Sequence, residues 1–122
     1  MVNSLDAHGR SLLKFLQEHL DSANRNAPGT ISYAEVHHRL DLQMMGRNFG
    51  ESLQHQGLSS VAAWTTANGL PKLEAIIVRE QEGTPGMGFW SSNNRDEILD
   101  IQWWWDEAGK VKKHDRSKYT QN

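Results

Sequence analysis

Cysteine is missing from all 122 residues. Its absence excludes a disulfide framework, a thiolate nucleophile and any Cys-based zinc site, and it fits a reducing, cytoplasmic setting. Long hydrophobic runs are missing as well. The longest, such as "AIIV", are far too short to cross a bilayer. The opening "MVNSLDAHGRSLLKFLQ" is interrupted by Asp6, His8 and Arg10, so no signal-peptide h-region forms and none is expected. A strong charge of one sign is also lacking. At a net charge of −2 the chain does not carry the overall basic balance of a general nucleic-acid binder. Basic residues gather in "KVKKHDRSK", with Lys110, Lys112, Lys113, Arg116 and Lys118 against Asp115. Residues 110–122 therefore read as a basic, solvated and mobile tail, or as a tail that touches phosphate.

What is present fits one domain, 1–122, large enough to bury a core without a staple. Leu5, Leu12, Leu16 and Leu20 recur near a 3.6 period, predicting an amphipathic helix over 3–24 with Asn3 and Asp6 at its cap. Pro28-Gly29 breaks the chain, and Ile31 opens a short extended entry. Ser32 through Glu35 forms a capping box that starts a helix over 33–40. Leu42, Met45, Phe49 and Leu53 fall at i, i+3, i+7 and i+11, which predicts a second helix over 42–56, joined tightly to the first near Asp41 and ended at Gly57. Gly46 and Gly50, four apart, suggest close packing against that helix. "SSVAAWTTAN" reads as a short helix stopped at Gly69. "LPKLEAIIVRE" reads as a buried strand, "EGTPGMG" as a loop, and Phe89-Trp90 as the start of a returning strand. Residues 94–108 read either as a helix, favoured by Ser and Asn before Asp96 and Glu97, or as a hairpin around Glu107-Ala108-Gly109.

Two short helices followed by a hairpin over 72–90 follow the plan of a winged helix-turn-helix over 31–90. The expected fold is thus a small α+β domain with a winged helix-turn-helix-like core, a leading amphipathic helix and a Trp-rich C-terminal element. Gln43, Arg47, Asn48 and Gln54 lie on the polar side of the expected second helix, and such side chains pair with base edges or fill a minor groove. They are also ordinary solvent-facing helix residues, just as Tyr33 at a first helical turn can be a half-buried packing residue.

"SYAEV" followed by "RNFGESL" resembles the DNA-binding half of the alkylguanine-DNA alkyltransferases and the alkyltransferase-like proteins, over roughly half the chain. "VREQEGTPG", with Arg79, Gly83 and Gly86, resembles the strand and glycine turn of the same family. The resemblance implies that Tyr33 presses on a phosphate beside a target nucleotide, that Arg47 enters the base stack from the minor groove, and that the 80–88 segment acts as a wing. The family's Pro-Cys-His-Arg is replaced here by "PKLEAIIV", so alkyl transfer is excluded. "GLPKLEAIIVREQEGTPGMGFW" is also similar to a segment of small bacterial proteins of unassigned function, which implies a bacterial source.

No other constellation assembles. His37 and His38 are adjacent on a helix and diverge, and no ligand spacing joins them to His8, His19, His55 or His114, so no metal is expected. Glu35, Asp41, Glu51 and Glu74 have no sequence partner for acid–base work. "GTPGMG" lacks the Lys-Ser/Thr ending of a phosphate loop. Trp103-Trp104-Trp105 cannot all face one core from a regular element, so at least one is expected at the surface, where Trp serves contact hot spots or base stacking. These readings give a non-enzymatic, cofactor-free protein. It binds duplex DNA through Tyr33, Gln43, Arg47, Asn48, Arg79, Gly83 and Gly86, or alternatively a protein partner, as an adaptor, inhibitor or immunity protein would, through Trp103, Trp104 and Trp105.

Overall fold

A computed structural model describes residues 5–22 and 29–113. Its first helix, α1, spans Ala7–Ser22. Its cap is Asp6, whose carboxylate accepts the Gly9 N–H at 2.6 Å, so the helix begins later than the apolar period suggests. Asn3 lies outside the described residues. Leu12, Leu13, Leu16 and Leu20 form the buried stripe, each worth about 1.5–3 kcal/mol of apolar transfer.

Strand β1 is only Ile31–Ser32, and α2 follows at Tyr33–Arg39. The Ser32 half of the expected capping box forms: the Ser32 hydroxyl accepts the Glu35 N–H at 3.0 Å. The chain then departs from expectation. Residues 42–48 are irregular, entered through a turn with Asp41 at φ 53°, and α3 covers only Phe49–Leu53. Met45 and Phe49 are exposed, so the apolar stripe over 42–53 is not a helix face; Leu53 is buried in the core and Leu42 packs partly buried against it. Gly46 is non-helical, and a Cβ there would meet the Glu51 side chain rather than a packed neighbour.

Helix α3 runs through a wide turn, Gln54–Leu58, into α4 at Ser59–Ala67. Helical winding stops at Gln56 and Gly57 as expected, and α4 begins beyond this kink; Gly57 has φ +123°, and a Cβ there would stand 2.7 Å from the His8 carbonyl oxygen. The start of α1 is thereby held against the bend, and Asp6 N–H donates to Ser60 Oγ at 3.1 Å. Gly69, with φ +64°, follows α4 as expected.

The buried stretch after Pro71 is a 3₁₀ turn, Leu73–Ile76, leading into β2, Ile77–Val78. Strand β2 pairs in parallel with β1, Ile31 opposite Ile77 and Ser32 opposite Val78. The expected returning strand is absent, because Phe89 and Trp90 lie in α5, Met87–Ser92. The hairpin over 72–90 therefore does not form. Instead β2 finds its neighbour far back in the chain, which leaves Phe89 and Trp90 free to pack as a helix against Ala75, Val78 and Trp104.

Helix α6, Ile101–Lys113, takes the tryptophans and excludes the hairpin around Ala108. Lys110, Lys112 and Lys113 belong to this helix rather than to a mobile tail, and 114–122 lie outside the described residues. The result is a small, mostly helical α+β domain with a two-stranded sheet. Among the described residues no helix is long and apolar enough to cross a membrane.

Candidate nucleic-acid interface

A groove of about 600 Å³ opens between the start of α2, the residues before α3 and the 79–88 segment. Tyr33, Arg47, Asn48, Arg79 and Gly86 all line it, although they span much of the sequence. Gln43 and Gly83 do not. Gln43 contributes its backbone carbonyl, which accepts Gln56 Nε2 at 2.7 Å. Gly83 turns the 79–84 loop with φ +73°, its N–H donating to the Arg79 carbonyl.

Tyr33 is placed by the α2 cap and is buried, 7% exposed, at the groove wall. That hydroxyl accepts the Gly86 N–H at 2.9 Å, and no described residue accepts its proton. Burial raises its pKa above the usual phenol value, so it stays a neutral donor at physiological pH. Arg79 is pinned: its guanidinium donates to Thr84 Oγ1 at 2.9 Å and pairs with Glu97 and Glu82. Arg79 N–H also closes the loop on the Thr84 carbonyl.

Arg47 and Asn48 are not on a helix flank. Both precede α3, and Asn48 is its N-cap, accepting the Glu51 N–H at 2.8 Å. The Arg47 side chain is 89% exposed and held by Glu51 at 3.2 Å. The hydrogen bond from Arg47 lowers the Glu51 carboxyl below its ordinary range. The 42–48 segment that carries Arg47 is fastened from behind. Ser52 Oγ accepts the Met45 N–H at 2.8 Å and Gln56 Nε2 at 3.1 Å, and it meets His37 Nε2 at 2.9 Å. Ser52 is fully buried and His37 nearly so, and their contact ties the 42–48 segment to the interior.

Sequence reasoning missed Phe49 and Met87 in the groove wall, whereas Gln54, expected beside Arg47, does line it. Phe49 had seemed a core residue, but it stacks edge-on against His37 at 5.1 Å and faces outward. Gln54 lies over Gly88, where a Cβ would overlap its amide. A second cavity of about 340 Å³ shares Tyr33, Gln54 and Gly88 with the groove and reaches Glu74. Burial raises the Glu74 pKa, and its close polar partner is Thr65 Oγ1 at 3.5 Å.

The three tryptophans separate as a helix requires. Trp104 is buried and donates from Nε1 to the Ala75 carbonyl at 2.8 Å. Trp103 is half-buried against Phe89, with the Arg95 guanidinium 4.4 Å from its ring centroid. Trp105 is exposed. Among the described residues no group of His, Asp or Glu could hold a metal ion. No protein-family model, no curated protein and no solved structure matches this chain.

Proposed function

We propose that this protein binds duplex DNA without chemistry, using the groove at Tyr33. The observation that carries the reading is convergence: Tyr33, Arg47, Asn48, Arg79 and Gly86 come from three separate segments and meet on one surface. Helix α2 and the α3 N-terminus act in the manner of a helix-turn-helix, and the closed 79–88 segment stands in for a wing. Tyr33 offers its free proton to a phosphate oxygen, because its lone pair already holds the Gly86 N–H. Arg47 reaches the groove of the duplex, exchanging Glu51 for a phosphate or base edge. An exposed pair of this kind contributes little to folding, so the exchange is inexpensive. Asn48 keeps its amide donor while its oxygen caps α3.

Charge sets the affinity. Arg47 and Arg79 share the groove with Glu51 and Glu80, so the long-range field is weak and binding is salt-sensitive and modest. A titration of a fluorescent duplex at two salt concentrations tests this. Arg47→Ala should weaken binding about five- to a hundredfold, the scale of a positioned Arg contact of about 1–3 kcal/mol. Lys113→Ala should change it modestly. Wild-type protein that binds no duplex at low salt would overturn the proposal.

A further inference from the structure

We propose that the cavity reaching Glu74 is a binding site for a small organic cation, a primary ammonium on a short apolar stem. At about 340 Å³ it lies at the small end of the range that ligand sites occupy, roughly 300–1,000 Å³. Ser59, Ser91 and Ser92 line it and are exposed, whereas Leu58, Phe89 and Glu74 line it and are buried. It therefore runs from a rim of hydroxyls to an apolar interior that holds one carboxyl. A third cavity, of about 450 Å³, shares Ala62, Glu74 and Ser92 with it, so Glu74 borders both.

The lining chooses the ligand. Glu74 is 7% exposed, yet little holds its carboxyl there. Thr65 Oγ1 stands 3.5 Å from it, but that hydroxyl has one proton and lies closer to the Ala62 carbonyl, at 3.1 Å. Apart from its own backbone N–H, no other donor among the described residues reaches it. A buried acid in this state is completed by a cation that brings hydrogen bonds with its charge, and an ammonium supplies three donors. The Tyr33 and Phe89 rings suit a cation and its stem, and Leu58 and Ala62 extend the apolar wall. No basic side chain among the described residues lines this cavity, so an anion finds no counter-charge. Lys72, before the 3₁₀ turn, and Glu107, on α6, act on the carboxyl with opposite sign, while Thr65, Ser91 and Ser92 on α4 and α5 do not titrate. Burial holds the ligand-free carboxyl towards its protonated form, so taking up the cation expels a proton.

Titration of phenethylammonium into the full chain at about pH 8, followed by amide NMR, tests this. Its Kd should be on the order of 1 mM, the scale for so small a ligand, with shifts concentrated at Ala62, Glu74, Phe89 and Ser92. The neutral analogue 2-phenylethanol should bind about tenfold more weakly or worse. Glu74→Gln keeps the side-chain shape and removes the charge. It should cost the amine about the same factor and leave the alcohol unchanged. Because a proton is released, the amine Kd should rise as pH falls, by up to about tenfold per unit below the pKa of ligand-free Glu74. Ala62→Leu narrows the cavity and should weaken both compounds. Equal affinity for amine and alcohol, an amine affinity untouched by Glu74→Gln, or shifts scattered over exposed carboxylates would each overturn the proposal. So would no binding up to about 50 mM. Neither Glu74 nor Ala62 lines the Tyr33 groove, so failure here leaves the DNA reading standing.

Discussion

Replacing Ser52 by alanine should loosen the segment that presents Arg47. The hydroxyl is fully buried and serves four neighbours: it accepts from Met45 N–H and Gln56 Nε2, meets His37 Nε2, and stands 3.3 Å from the Gln43 carbonyl. Gln56 Nε2 and the Gln43 carbonyl keep each other at 2.7 Å, so their loss is small. Met45 N–H and His37 Nε2 keep nothing. Two stranded polar groups at about 1–3 kcal/mol each, one of them only partly buried, give a destabilisation of about 2–4 kcal/mol. That is a large share of the roughly 5–15 kcal/mol available to a domain. Urea unfolding with an unchanged m-value would measure it, with exposed Ser59→Ala as a control expected within about 0.5 kcal/mol. Amide exchange at Met45 should quicken in the variant while Leu12 and Leu16 stay protected. A loss below about 0.5 kcal/mol would refute the claim that this hydroxyl fastens the loop.

Glu74→Gln should stabilise the fold at neutral pH and lose that advantage in acid. The folded-state pKa of Glu74 is raised by burial, so its penalty is absent below the unfolded value and grows as pH rises through the folded one; thermal midpoints at pH 4 and pH 7.5 would check the sign. Gly57→Ala should cost about 3 kcal/mol or more, combining a positive φ with a Cβ driven into the His8 carbonyl, and a chemical melt would show it. In single-tryptophan variants acrylamide should quench Trp105 readily and Trp104 hardly at all; equal protection would contradict the exposed face of α6.

Signals confined to neighbouring residues were legible in the sequence. The leucine period marks α1, Ser32 and Glu35 mark the start of α2, and Gly69 marks the end of α4. These depend on side chains within one or two turns, so local spacing determines them. The composition of 73–78 likewise announces burial, because β-branched and aliphatic residues in sequence have nowhere else to go.

The tertiary structure decided the rest, through partners that spacing does not reveal. The stripe Leu42, Met45, Phe49 has helical period, yet the Met45 N–H and Gln43 carbonyl are satisfied by Ser52 and Gln56, so the backbone can remain irregular. Ile77 and Val78 have strand character, but their ladder partner is β1 rather than Phe89, since a parallel pair must close over distance. Trp104 settles between helix and hairpin by reaching the Ala75 carbonyl. The residues of the candidate site were readable by type, whereas their meeting in one groove was not. That meeting rests on long-range contacts, the pairing of β1 with β2 and the Tyr33 hydroxyl with Gly86 N–H among them, which only the closed fold can make.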